Sequence, residues 1–172
     1  VEPAGYYHEG LSRKGHLTYA STSEALERWE NQLDLAVSFS VLEHVDDPLS
    51  FLREAKRLLK KDGRLIISTP NRNDWLLDLL PDAYAPFFYR TAHRWYFTPD
   101  SLRALADRAG FTSISVRTRH RFGLANLLLW LRDRQPSGHS GVEVPPLLDQ
   151  AFSAASNESE RGAYRYAALT VS

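Results

Sequence analysis

The stretch LDLAVSFSVLEHVDDPLSFLREAKRLLKKDGRLIISTPN, residues 33–71, decides how this chain folds. Leu33 to Phe39 is a compact apolar run of strand length, the pattern of a strand buried on both faces. Asp46 or Asp47 then caps a helix that runs to Lys60. Pro48 suits its first turn, and Lys60 and Lys61 sit at the negative end of its dipole. Leu52, Ala55, Leu58 and Leu59 fall on one face of that helix. Asp62-Gly63 turns the chain, and Arg64 to Thr69, centred on Leu65-Ile66-Ile67, predicts a second buried strand. Strand, helix, strand in this order predicts a right-handed parallel crossover, the unit of an open α/β sheet.

Downstream, Pro70 to Phe97 is dense in aromatic residues and interrupted by Pro81 and Pro86. One or two short helices lying over the end of the sheet fit that composition. Thr98-Pro99-Asp100 opens a helix with Leu102, Leu105, Ala106 and Ala109 inward, and Gly110 ends it. Ser113 to Thr118 alternates polar and apolar, as a strand near an edge does. Leu124 to Arg134 reads as a helix, packed rather than membrane-bound. Residues 135–162 read mostly as loop, with a helix near Leu147 to Ala155, and Tyr164 to Val171 as a last strand. Upstream, Val1-Glu2-Pro3 has the form of a strand end with an acidic tip. Ala4 to Lys14 is a helix closed by Gly15, His16 to Tyr19 a short strand, and Thr22 to Trp29 a helix behind a Ser/Thr cap.

Composition narrows the function. The 172 residues carry 21 Lys+Arg and 21 Asp+Glu, so there is no basic field of the kind nucleic-acid binders show. The short run Arg117, Arg119, His120, Arg121 is a solvated strand end. The absence of cysteine excludes disulfides, thiolate metal sites and a cysteine nucleophile. The longest apolar stretch, Leu124 to Leu131, is far short of the ~20 residues a membrane span needs. A cytoplasmic location is expected. The chain starts at Val1 and holds no methionine, which reads as a piece cut from something longer.

Residues 33–63, above all Leu42-Glu43-His44-Val45 followed by the acidic-Pro helix start, resemble class I S-adenosylmethionine-dependent methyltransferases of the ubiquinone-biosynthesis-like kind. Arg64 to Asn71 resembles that family's fifth strand and exit loop. His93-Arg-Trp-Tyr-Phe-Thr-Pro99 and Ala109-Gly110-Phe111 resemble its later helix and the lead into its sixth strand. The resemblance implies an α/β fold, a doubly wound Rossmann-like sheet with an antiparallel last strand, and S-adenosylmethionine as cofactor. The family's first strand and its Gly-x-Gly loop have no counterpart here. The expectation is therefore a single partial domain, 1–172, lacking that strand, with a gap between the Glu2 and Leu33 strands. The gap is closed by the chain itself, by a second copy, or by upstream residues.

The resemblance also implies a site. Glu2, at a strand tip, would bind the ribose hydroxyls of the cofactor. Ser21, Thr22, Phe39, Ser40 and Val41 would line the rest of the cofactor site. Asn71, Trp95 and Tyr96 would line the acceptor site. His93 is the candidate general base, since a histidine titrates near neutrality, and His44 lies beside the cofactor pocket. Some family members hold a divalent metal through Glu-x-x-Glu-His and a later histidine. Here Ser40 stands at the first acidic position, so Ser40, Glu43, His44 and His93 are read without a metal, with Glu43 capping or salt-bridging locally. Two functions remain open: methyl transfer to a small-molecule, sugar or lipid-linked acceptor, or a methyltransferase-like module that holds a partner without catalysis.

Overall fold

The computed structural model describes residues 1–119, 122–136 and 142–171. His120 and Arg121 of the basic run lie outside the described residues. The 33–71 stretch forms β1 (Leu33–Phe39), α3 (Pro48–Leu58) and β2 (Leu59–Pro70), preceded by α1 (Gly5–Arg13) and α2 (Thr22–Trp29). After β2 come two short helices, α4 (Trp75–Leu79) and α5 (Pro81–Phe88), then α6 (Pro99–Arg108) and β3 (Ser113–Arg119). Helices α7 (Gly123–Asp133) and α8 (Pro146–Glu158) lead into β4 (Tyr164–Thr170).

The strands form one mixed sheet in the order β1-β2-β4-β3. β1 and β2 are parallel, with Val37 opposite Ile66 and Phe39 opposite Ser68. β4 inserts antiparallel to both β2 and β3. The crossover is anchored as its caps predict. Asp47 Oδ1 accepts from the Leu49 and Ser50 amides, and Pro48 occupies the first turn. Apolar residues of α3 and α6 (Leu52, Ala55, Leu102, Ala106) meet Leu65, Ile67, Ala167 and Leu169 on one sheet face. This is the main core. α2 packs Ala25 and Leu26 against Leu58 of α3.

The opposite face is different. Leu35, Val37 and Phe39 are each more than half exposed there, and Ala168, Ser115 and Arg117 are exposed beside them. β1 is therefore an edge strand with one bare face, not a strand buried on both. It is an edge because Val1–Pro3 and His16–Tyr19 form no strand beside it. They join each other through the Glu2 amide and the Tyr19 carbonyl (2.9 Å) instead of extending the sheet. The expected gap appears as an open cleft of about 790 Å³ between this N-terminal segment and β1. The helix expected near Leu147 to Ala155 is present and runs from Pro146 to Glu158, 13 residues. Asp149 of that helix accepts from the Leu124 amide (2.6 Å), satisfying a donor at the start of α7.

The turn between α3 and the straight part of β2 is tight. Asp62 has a φ of 62°, and the register shifts between Leu33 and Leu35. At Gly63 an added Cβ would lie 2.8 Å from the Lys60 carbonyl oxygen and 3.0 Å from that of Leu33, both backbone atoms. Gly63→Ala is expected to lower stability by about 1–3 kcal/mol, read from the urea midpoint. An unchanged midpoint would show that this turn opens freely.

Candidate active site

The carboxyl ends of two parallel strands are where ligands bind in open α/β sheets, and here two cavities meet at that edge. One is the 790 Å³ cleft. Glu2, Ser21, Thr22, Phe39, Ser40 and Val41, every residue expected to contact the cofactor, line it. The other is a pocket of about 250 Å³ under α5, lined by Glu43, His44, Arg90 and His93 and walled by Tyr84, Phe87, Phe88, Phe122 and Tyr164. Ser40 and His44 line both.

Within the cleft, Ser21 caps α2 by accepting from the Glu24 amide (3.0 Å). Glu2 Oε1 accepts from the amide of Ala4 (2.9 Å), so its carboxylate is held at the cleft wall. Ser40 leaves β1 with a φ of 52°, and its amide donates to the Ser68 carbonyl (3.0 Å). That turn directs the following residues across the strand ends.

The Leu42–Asp46 loop is laced to residues 92–95. The Glu43 carbonyl accepts from the Arg94 amide (2.8 Å) and the Trp95 amide (3.2 Å). Trp95 Nε1 donates to the Val45 carbonyl (2.9 Å), and Arg94 pairs with Asp46. His44 Nδ1 lies 2.8 Å from the Ala92 carbonyl. A carbonyl only accepts, so Nδ1 carries a proton and donates it there. These bonds set the His93 ring edge-on to His44, with centroids 4.7 Å apart.

Glu43, His44 and His93 thereby come together, with potential ligand atoms all within 4.8 Å of one another. Glu43 is almost fully buried. It neither caps a helix nor forms an ion pair among the described residues, contrary to the sequence expectation. Glu43 Oε2 and His93 Nδ1 are both buried without a hydrogen-bond partner among the described residues. Burial pushes the Glu43 carboxyl up from its ordinary value, with the neighbouring His44 opposing. Burial, followed by His44 and Arg90, holds His93 below the usual histidine range. His93 is thus neutral at physiological pH and able to accept a proton. One carboxylate and two imidazoles also suit a borderline divalent cation, and the two orphaned atoms fit such a guest.

The residues expected to touch the acceptor sit elsewhere. Asn71 is fully buried and its amide is spent. Its Nδ2 donates to the Glu160 and Gly162 carbonyls, and its Oδ1 accepts from the Asn73 amide and from Arg165. Tyr96 accepts from the Arg90 amide (2.7 Å) and donates to the Phe88 carbonyl (3.1 Å), so it fixes the end of α5. Trp95 is tied to Val45 and lies outside the pocket. The walls come instead from Tyr84, Phe87 and Phe88 of α5. Only the aromatic density of 70–97 signalled them in the sequence. Trp130 of α7 is buried and meets Tyr84 edge-on at 4.8 Å, a packing role.

Under this wall lies Asp74, which caps α4 through the Leu76 amide (2.9 Å) and lies 3.5 Å from the Tyr84 hydroxyl. Burial raises its carboxyl to about 6.

A parallel pair with a helical crossover, an antiparallel last strand, and a cleft at the carboxyl strand ends define a Rossmann-like domain of the class I methyltransferase type. Residues 4–116 match the family model described as a methyltransferase domain. The chain belongs to that family. Among curated proteins, the ubiquinone biosynthesis O-methyltransferase of a Ruegeria species is 35% identical over 122 residues, 64% of this chain and 45% of that protein. The protein of the same name from Ruegeria pomeroyi is 37% identical over 99 residues, 55% of this chain and 40% of that one. The chain spans less than half the length of these relatives. Among solved structures, an S-adenosylmethionine-dependent methyltransferase of Thermotoga maritima, described as a possible histamine N-methyltransferase, superposes with a TM-score of 0.66. It is 22% identical, and the match covers 99% of this chain and 72% of that one. A methyltransferase of Archaeoglobus fulgidus described as dependent on the same cofactor gives 0.54 at 15% identity, over 89% and 66% of the two chains. These two likenesses concern the fold.

Asp74 yields a stability prediction. Its folded value lies above the ordinary one, so the folded state holds its proton more tightly. Its contribution is best below about pH 4, declines as pH rises to about 6, and stays unfavourable above, by up to about 3 kcal/mol. Asp74→Asn keeps a good cap and removes that penalty. The variant is expected to be more stable than the parent at pH 7 and no more stable at pH 4, by denaturant midpoint. A variant less stable at pH 7 would contradict the assignment.

Proposed function

We propose that the protein this chain belongs to transfers a methyl group from S-adenosylmethionine to a hydroxyl of a small-molecule or lipid-linked acceptor. The observation that carries this reading is the meeting of the two cavities at Ser40 and His44. A donor in the cleft and an acceptor in the pocket would face one another across that pair. The cleft has an acidic residue for a ribose at one end and a sharp turn, Ser40, at the other. The relatives' name, O-methyltransferase, favours oxygen as the nucleophile.

When bound, the cofactor supplies a sulfonium methyl that an oxygen can attack in line. The protein's task is to align the two partners and exclude water. His93, half-buried and neutral, accepts the hydroxyl proton as the oxygen–carbon bond forms, while the methyl–sulfur bond breaks and its electron pair stays on sulfur. His44 positions His93 through its ring contact and its bond to Ala92. Phe87, Phe88 and Tyr84 keep the pocket dry. A divalent cation held by Glu43, His44 and His93 is a second use of the same cluster, favoured by the orphaned Glu43 Oε2 and His93 Nδ1. It would supply Lewis-acid polarisation of the acceptor oxygen. No helix among the described residues is long and apolar enough to cross a membrane. A cytoplasmic location is part of this proposal.

The primary test is calorimetric titration of S-adenosylhomocysteine into the full-length gene product. Binding is expected, with Glu2→Ala weakening it about tenfold or more, the loss of a charge-assisted hydrogen bond. Absence of binding would favour the partner-holding module instead.

In the active full-length protein, His93→Ala is expected to lower kcat about 10²–10⁴-fold. The acid limb of the parent's pH–rate profile should lie below the ordinary histidine value of about 6.5, since burial depresses His93. A limb at or above that value would assign the base elsewhere.

A further inference from the structure

The acceptor pocket has a charge order that the methyltransfer reading does not use. At its buried end lie the Glu43 carboxylate and the His93 imidazole. Its walls are aromatic. At its solvent end stands Arg90, exposed and directly after the carboxyl end of α5. Two observations show how this arginine is held at the pocket, and a third concerns its charge. Its backbone is pinned, because its amide donates to the Tyr96 hydroxyl (2.7 Å), which in turn is bonded to the Phe88 carbonyl. Its guanidinium lies over the Phe87 ring, 4.9 Å from the centroid, which restrains the side chain at the pocket wall. It makes no ion pair among the described residues. By contrast, Arg57, Arg94, Arg103 and Arg161 each find a carboxylate.

A stacked, pinned guanidinium with unused donors is preorganised for a planar oxyanion. The pocket's volume, about 250 Å³, is below that of a site for a drug-sized ligand, so it suits a single substituted ring.

We infer that Arg90 determines specificity: the acceptor carries an anionic group, carboxylate or phosphate, which Arg90 binds while the ring stacks in the aromatic walls and the nucleophilic hydroxyl reaches His93. The inference rests on the pocket being the acceptor site. It adds a charge requirement that the reaction itself does not impose.

The test compares 3-hydroxybenzoate with its neutral isostere 3-hydroxybenzamide, and with 3-hydroxyphenyl phosphate, by calorimetric titration into the full-length protein. Titrations are run with and without S-adenosylhomocysteine, on the parent, Arg90→Gln and Arg90→Lys. The parent is expected to bind at least one of the two anions about tenfold or more tightly than the amide, and which one it prefers separates carboxylate from phosphate. Arg90→Gln should abolish the preference while leaving amide affinity unchanged, and Arg90→Lys should restore part of it. Equal affinity of the parent for acid and amide, equal weakening of both by Arg90→Gln, or binding of none of the probes would overturn the inference. Cofactor affinity, measured in the same samples, reports separately on the methyltransferase reading. S-adenosylhomocysteine binding without anion preference removes only the role of Arg90.

Discussion

Everything at the functional edge depends on the parallel pairing of β1 with β2. Two adjacent parallel strands end on the same side, so the chain leaving Phe39 and the chain leaving Pro70 emerge as neighbours. The helix between them must return the chain over one face, and α3 does so with Leu52 and Ala55 on Leu65 and Ile67. This fixes the Ser40–Asp46 loop and the aromatic α4–α5 segment side by side. β4 then inserts antiparallel against β2, which brings Tyr164 back to the same edge. The site is a consequence of strand direction before it is a matter of individual side chains.

The second constraint is the pairing of two loops that have no regular secondary structure. The Glu43 carbonyl, the Val45 carbonyl and the Ala92 carbonyl are all satisfied across the 42–46 and 92–95 segments. These bonds between the two segments, rather than regular secondary structure, hold the two histidines in contact. The cost is visible in the side chains. A carboxylate, an imidazole and a guanidinium share a small aromatic pocket, with Glu43 pushed up and His93 pulled down by burial. Strained protonation of this kind is common where a site must exchange a proton or bind a charged group.

Much of the architecture was legible beforehand because it is local. The Asp47-Pro48 start of α3, the Ser21 cap of α2, the Thr98-Pro99 start of α6 and the Gly110 stop are each settled within a few residues. The residues that line the cleft were legible for a related reason: strand tips follow from strand boundaries. The lining of the smaller pocket was not. Asn71, Trp95 and Tyr96 are polar or amphipathic residues near a loop, and sequence cannot tell whether such groups face a cavity or spend their hydrogen bonds internally. Asn71 spends all of them. Glu43 was misread for the mirror reason: a glutamate in a loop is usually solvated, and only the packing of 92–97 over it makes it buried.

The sequence by itself determined the crossover, the order of elements from β1 to β4 and the family, because periodicity, caps and the Leu42–Val45 motif are properties of contiguous residues. Tertiary structure alone decided that β1 is an edge with a bare face, since burial depends on what lies alongside and Val1–Pro3 bonds to Tyr19 rather than to the sheet. It also decided which groups share the pocket. Glu43, the Arg90–His93 turn and Tyr164 are far apart in the chain, and their proximity comes from the register of β2 with its two neighbours, which no local pattern encodes.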